Sequence, residues 1–343
     1  HQGCCQLPID LKRVTDTLSN LGQSPNVGAA LIVSLGCEGT DHERMVEEIR
    51  AAGKPVEIIR IQELGGTSRA IQAGIDAAQR LVQEISGLQR ETVDISEVVM
   101  AIKCGASDTT SGMASNCVIG YVADKLVDLG ATVVFGETTE FLGGEHILAK
   151  RAVGGENGPI GQKIYEIVDR MEKRAKSVGE DMRGGQPTPG NIAGGLSSIE
   201  EKSLGAIVKS GHRPIQGVLE YCDRVDGQKG LWIKDAPGRE PEILTGMAAT
   251  GAQFMMFSTG RGAPQGFPSM PVIKICGNPH TYERMQHDMD LNAGRIIQGE
   301  KTIEEVGEEA FRLMLDVLSG KMTKNEALGY YGSMDIFCLG PVI

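Results

Sequence analysis

Three apolar runs in this chain end at a cysteine beside a glycine. They run from Ala29 to Cys37, from Val98 to Cys104 and from Val272 to Cys276, and a further pair, Gly3-Cys4, stands near the start. A thiol where a strand gives way to a turn sits where open parallel sheets build their sites. Thiolates ligate iron and zinc and hold iron–sulfur clusters. If their turns share one sheet edge, Cys4, Cys37 and Cys104 can hold a catalytic iron or a cluster with one exposed corner. The plainer account is three buried structural thiols, and without a C-x-x-C pair the spacing leaves both open. Cys117, Cys222 and Cys338 fall in helical or apolar contexts and read as core.

A second grouping is Glu137, Glu140, Glu145 and His146, three carboxylates and an imidazole just after the run Thr132–Phe135. These are ligands for divalent metals and also acid/base groups. Glutamates at the start of a helix near Gly143 would equally suit its dipole. The turn Cys104-Gly-Ala-Ser107-Asp108-Thr-Thr-Ser111 is packed with hydroxyls and precedes a helix, where free backbone N–H groups bind carboxylate or phosphate. It lacks the lysine and spacing of a P-loop, and no dinucleotide fingerprint is present. Arg261, between Gly260 and Gly262, can present its fork to a substrate carboxylate or be a solvated turn residue. Lys202 and Asp288–Gly294 are weaker candidates.

The elements that must position these residues alternate. A helix is predicted from Asp10 to about Asn20, a strand ending at Cys37, a helix from His42 to Ala52, and a strand over Val56–Ile61. A long helix follows from Ser68 to about Ser86, with Ile71, Ile75, Ala78 and Val82 on its apolar face. The next strand runs Val98–Ile102, then a helix from Ser115 to Leu129 and a strand over Thr132–Phe135. Strand, turn and helix repeated four times with nearly continuous apolar strands predict an α/β fold, a mostly parallel sheet with helices on both faces. Residues 1–153 form the first part of this region. Residues 154–197 hold a charged helix, Ile160 to about Lys176, and a Gly/Pro-rich loop expected to serve substrate or dimer contacts. Residues 198–343 return to the same sheet, with strands at Ala252–Phe257 and Val272–Ile275 and helices at Ile303–Leu318 and Lys324–Leu328.

The chain has 343 residues with 46 glycines and 4% aromatics, so its packing relies on aliphatics and tight turns. A net charge of -11 with no basic run argues against nucleic acid as a partner. It does not argue against a small anion held by local cations. Eight cysteines without disulfide-scaffold spacing predict reduced thiols and a cytoplasmic setting. No stretch approaches the ~18 uninterrupted apolar residues of a membrane span. The first residue is His1 rather than Met, so a preceding segment is expected to have been lost.

Taken in order, Gly3-Cys4-Cys5-Gln6, Leu35–Glu38, Lys103–Asp108, Gly136–Glu140 with Glu145-His146, Pro189-Gly-Asn191, Glu200–Gly205, Thr259–Gly262 and Asp288–Gly294 resemble the altronate/galactarate dehydratase family. That family includes the large subunit of sulfolactate sulfo-lyase. The resemblance implies a β-elimination, of water from a sugar acid or of sulfite from sulfolactate, assisted by a divalent metal, Fe2+, with an iron–sulfur cluster as the alternative. It implies a Rossmann-like sheet with an unusual crossover, a homodimer, and a small β-clip domain or subunit that this chain lacks. Ala106 departs from the glycine usual in that motif. Cys4, Cys37, Cys104, Glu137 and Glu140 are then the expected metal ligands. His146, Lys202 and Glu145 become the acid/base candidates, and Ser107, Asp108, Asn191 and Arg261 contact an anionic hydroxy acid. A non-catalytic subunit needing its small partner is the reading from a different class.

Overall fold

The computed structural model describes residues 3–341 and 343. Its first part is a small α/β layer. Helix α1 (Pro8–Gly22) leads to strand β1 (Ala30–Ser34), helix α2 (His42–Ala51), strand β2 (Val56–Arg60) and helix α3 (Thr67–Ile85). Asp41 starts α2 by accepting the Arg44 backbone N–H. The two strands pair in parallel, Ala30 opposite Val56 through Ser34 opposite Arg60. Val46 and Ile49 of α2 pack with Val56, Ile32 and Ile58.

Two expectations fail in this layer. Strands β1 and β2 form a sheet of their own instead of joining the later strands. The helix face predicted to be buried is also the wrong one. Ala70, Ala77 and Leu81 are the buried residues of α3, whereas Ile71, Ile75 and Val82 are 59%, 49% and 62% exposed and Ala78 is exposed too. Small residues let the helix lie close to its sheet, and a Cβ on Gly74 would already meet the Ile59 side chain at 3.3 Å. Close approach wins over residue size.

The remaining chain builds a seven-stranded parallel sheet. Its strands are β3 (Val99–Cys104), β4 (Thr132–Phe135), β5 (Ile215–Leu219), β6 (Gly230–Lys234), β7 (Phe254–Thr259), β8 (Val272–Cys276) and β9 (Leu291–Asn292). Their spatial order is β5-β6-β4-β3-β7-β8-β9. A short π turn (Ser111–Ser115) and α4 (Asn116–Asp128) connect β3 to β4. Helices α5 (Glu145–Arg151), α6 (Pro159–Ser177), α7 (Met182–Gly185), α8 (Pro189–Ala193) and α9 (Ile199–Ile207) lie between β4 and β5. Helix α10 (Glu240–Ala249) carries the chain from β6 across to β7, and α11 (Pro279–Arg284), α12 (Ile303–Leu318) and α13 (Lys324–Ala327) complete it.

Alternating strand residues feed two cores, as the period of a strand requires. Met100, Ile102, Val133, Phe135, Phe254, Met256, Ile273 and Ile275 pack under α4, α6 and α12. Ala101, Val134, Met255, Phe257 and Val272 pack on the other face against Val14 of α1 and Ile243, Leu244 and Met247 of α10. Burying each such side chain contributes about 1.5–3 kcal/mol before the entropy of ordering it is set against the gain. The crossover is unusual in one respect. Parallel strands are ordinarily joined by a helix, yet residues 220–229 join β5 to β6 without one. The buried Lys234 side-chain nitrogen serves that link by donating to the carbonyls of Glu220 and Asp223 at 3.2 and 3.0 Å. Gly217 of β5 is needed there, because a Cβ would lie 2.3 Å from the Trp232 ring of β6.

Candidate active site

In an all-parallel sheet the strands end at one edge, and the candidate site is built there. Strand β3 ends at Lys103 and Cys104, with Lys103 pointing away from the face that Ile102 occupies. Gly105 must follow, because a Cβ would come within 2.5 Å of the Glu240 carboxylate and 2.9 Å of the Phe257 ring. Two residues beyond β4, Glu137 adopts the left-handed conformation with φ 69°. Ala106 does the same at φ 48°. Such backbone is costly for any residue with a Cβ and concentrates where geometry serves function.

Glu137, only 1% exposed, is fully occupied. One oxygen accepts from Lys103 Nζ at 2.8 Å. The other accepts from the Cys104 backbone N–H at 2.9 Å and from Lys209 Nζ at 2.6 Å. Glu140, one short turn later, accepts at Oε2 from Lys209 Nζ at 2.7 Å and from the Cys104 thiol at 2.9 Å. Its Oε1 faces Lys202 Nζ at 3.6 Å. Burial alone would raise the Glu140 carboxyl, but the Lys209, Lys202 and Lys103 charges outweigh it and bring it down to about 2. The Cys104 thiol moves the other way, pushed well above its usual range by burial and then by the two carboxylates. Lys103 and Lys209 pay a burial penalty but are held as ammonium ions by these anions.

Glu137 and Glu140 with Cys104 open onto a cavity of about 380 Å³. Its walls also carry Ser107, Gln186, Thr188, Asn191, Lys202 and Glu240. The Gly/Pro-rich segment thus folds over the site, and α8 begins in a capping box in which Thr188 and Asn191 satisfy each other's backbone. Asn191 is buried, and its amide donates to the Ser107 carbonyl at 2.8 Å. Lys202, on α9, donates to Gln186 Oε1 at 2.7 Å.

The structure gathers Cys104, Glu137, Glu140, Ser107, Asn191 and Lys202 and leaves other predicted residues elsewhere. Cys4 and Cys37 are exposed, on turns of the small layer, Cys4 beside Cys5 and Cys37 accepting from Gln62 at 3.3 Å. Neither joins the donor set of Cys104, because Cys37 follows β1, a strand of the other sheet, and Cys4 lies beside the same turn, where the Gly39 N–H donates to the Gly3 carbonyl at 2.8 Å. His146 is exposed on α5 and Glu145 forms the first residue of that helix, so neither lines the cavity. Asp108 is committed to its own turn, accepting from Thr110 N–H at 2.9 Å and Ser111 N–H at 3.2 Å, while Asn278 holds its other oxygen at 3.0 Å. Arg261 is exposed, its backbone N–H tied to the Ala106 carbonyl at 2.8 Å. Lys103, Lys209, Gln186 and Glu240 were not singled out by sequence. A lysine inside an apolar run, as in Met100–Lys103 and Ala206–Lys209, is the signal that points to the first two, since a buried ammonium demands partners.

Among the described residues, Cys104, Glu137 and Glu140 bring three metal-ligating atoms within 4.8 Å of one another. That donor set is capable of holding a cation. It does not fit a metal as arranged, because Lys209 Nζ already contacts all three atoms, at 2.9 Å from Cys104 Sγ, 2.6 Å from Glu137 and 2.7 Å from Glu140. Among the described residues, no helix is long and apolar enough to cross a membrane.

Fold and site together define an α/β protein with a buried acid–base cluster and a polar cavity at the carboxyl edge of a parallel sheet. The chain belongs to the D-galactarate/altronate dehydratase family: residues 95–340 match its C-terminal region and residues 1–86 its second domain. It is 39% identical over 329 residues to a (2R)-sulfolactate sulfo-lyase subunit beta of Chromohalobacter salexigens, covering 96% of this chain and 83% of that one. It is 36% identical over 336 residues to a galactarate dehydratase (L-threo-forming) of Escherichia coli, covering 95% and 63%. An altronate dehydratase of Bacillus subtilis is 33% identical over 331 residues, with 95% and 64% covered. The chain therefore spans a little under two thirds of the dehydratases it matches.

Proposed function

We propose that this chain is a lyase that removes water from a sugar acid, an altronate- or galactarate-type dehydratase giving a 2-keto-3-deoxy acid. The observation that carries this reading is Lys202 facing Glu140 Oε1 at 3.6 Å across a polar cavity of about 380 Å³. Family membership agrees with it. In such a reaction the C–H bond beside the carboxylate breaks, the neighbouring C–O bond breaks, water leaves, and the resulting enol becomes the ketone. Both proton movements need a positioned acid/base group, worth roughly 10²–10⁴-fold.

Lys202 moves the proton and Glu140 is its partner. Glu137, Lys103 and Lys209 are saturated with internal bonds, so they hold the other two in place. Ser107 and the loop residues Gln186 and Thr188 contact the hydroxyl groups of the substrate, with Asn191 fixing the loop. Arg239, at the cavity wall and 61% exposed, meets the substrate carboxylate. The ferrous ion expected from the resemblance is assigned no step, since Lys209 fills the donor set.

A second reading, release of sulfite from sulfolactate, is favoured by the 39% identity to a protein named as a subunit beta, of which this chain covers 83%. That name supports a partner subunit, which we propose to be a small β-clip subunit or domain, and we extend the proposal to a cytoplasmic homodimer. Anaerobic assays on altronate, galactarate and (2R)-sulfolactate, with and without the small partner and Fe2+, test both readings. A 2-keto acid without sulfite is expected. Sulfite from sulfolactate alone establishes the second reading, and no product in the presence of the partner overturns both.

A further inference from the structure

The donor set of Cys104, Glu137 and Glu140 raises the question of which cation it was built for. An ammonium group has three N–H donors and no acceptor. Lys209 spends all three on this set, with Glu137 Oε2 at 2.6 Å, Glu140 Oε2 at 2.7 Å and Cys104 Sγ at 2.9 Å. A divalent transition metal bound to carboxylate oxygen and thiolate sits about 2.0–2.3 Å from its ligands, a position that overlaps the Lys209 nitrogen.

Charge leads to the same conclusion. Lys103 and Lys209 balance Glu137 and Glu140 one for one, all four with side chains no more than 6% exposed. At the rim, Lys202 lies 3.6 Å from Glu140 and Glu240 lies 3.6 Å from Lys103, a second balanced pair. A dication entering this cluster would find no surplus negative charge to offset its dehydration. The thiol, too, already has a use, since its proton goes to Glu140 Oε2 at 2.9 Å.

We propose that the Lys209 ammonium is the resident cation of the Cys104–Glu137–Glu140 donor set and that it excludes a divalent metal from that position. Lys209 is on this account a positioning residue. It lies behind the cavity wall and fixes Glu140 so that Oε1 is presented to Lys202. The inference is independent of which acid the cavity acts on, because its test reads binding and not turnover.

The test uses the full chain, reduced and anaerobic, equilibrated with Co2+ and then dialysed. Bound metal is counted by elemental analysis, and cobalt–thiolate charge-transfer absorption is recorded in the near ultraviolet. Exposed cysteines elsewhere can bind cobalt, so every measurement is paired with a Cys104→Ser variant. Wild type and Cys104→Ser are expected to bind equal metal with equal absorption. Lys209→Met, with its folding checked by circular dichroism, is expected to gain one equivalent per chain and a band that disappears in Lys209→Met/Cys104→Ser. A Cys104-dependent band in the wild type overturns the proposal, and so does a folded Lys209→Met that gains no metal. Should Lys209→Met fail to fold, the comparison of wild type with Cys104→Ser still decides the matter.

Discussion

Lys209 Nζ lies 2.6 Å from Glu137 Oε2 with both side chains 1% exposed, a fully buried ion pair joined from the other side by Lys103. Removing the shared anion strands two ammonium ions where water cannot reach them, and breaking a buried pair in this way costs about 3–5 kcal/mol. Glu137→Ala is therefore expected to lose about that much in urea denaturation at neutral pH. A loss under about 1 kcal/mol would mean that water enters the cluster freely.

Sequence disclosed the centre of the fold better than its margins, for a physical reason. Strands β3 and β4 are buried on both faces, so Val98–Ile102 and Thr132–Phe135 are continuous apolar runs bounded by turns, a pattern that Phe254–Phe257 of β7 shares. Strands β5 and β6 lie toward one edge. Their runs are short, broken by Gln216 and Gly217 or ended by Lys234, and give no strand signal of their own. The small sheet is misplaced by sequence because the run through β1 ends in the same glycine–cysteine pairing as that through β3, and no local pattern says which sheet a strand joins. Residues of the site that directly follow strand ends, Cys104, Ser107, Glu137 and Glu140, were legible for that placement. Glu145 and His146 are close to them in sequence, yet the turn at Gly143 starts α5 and directs the chain away. Lys209 reaches the centre from a distant helix end, a contact that only the fold creates.

Ala106 occupies the left-handed region at φ 48°, beside the cavity. A Cβ there costs roughly 1–2 kcal/mol, and glycine returns about 0.5–1 kcal/mol of that as chain entropy. Ala106→Gly should raise stability by up to about 1 kcal/mol, read as a higher denaturation midpoint with an unchanged slope. A lower midpoint would show that the Ala106 methyl makes packing contacts worth more than the backbone strain.

Glu140 gives the cluster its pH dependence. Its carboxyl is held at about 2 against an ordinary 4.5, because Lys209, Lys202 and Lys103 outweigh the burial that would raise it. A group with a depressed folded pKa contributes its stability above the unfolded value. That contribution is complete above about pH 4.5 and drains as pH falls towards 2. Wild type should therefore exceed Glu140→Gln by on the order of 3 kcal/mol at pH 7, and the gap should shrink to less than half of that at about pH 3, closing only as pH approaches 2. Urea denaturation of both proteins at the two pH values measures it. A gap that stays constant would place the titration elsewhere.

Lys202 and His146 distinguish a site centred on the cavity from one centred on the sequence neighbours of Glu145. Lys202 contacts Gln186 and faces Glu140 on the cavity wall, with its side chain 13% exposed. His146 is exposed on α5 and lines nothing there. Lys202→Met should lower the rate of keto-acid formation by about 10²–10⁴-fold. His146→Ala should stay within about threefold of wild type, since an exposed side chain outside the cavity touches no reacting atom. Lys202→Arg keeps the positive charge but holds its proton far more tightly, so it should remain slow. Full activity in Lys202→Arg would reduce Lys202 to a charge that orients the substrate, and a large loss in His146→Ala would return the proton transfer to α5. Steady-state rates for the three variants, taken with matched circular dichroism spectra, decide between these assignments.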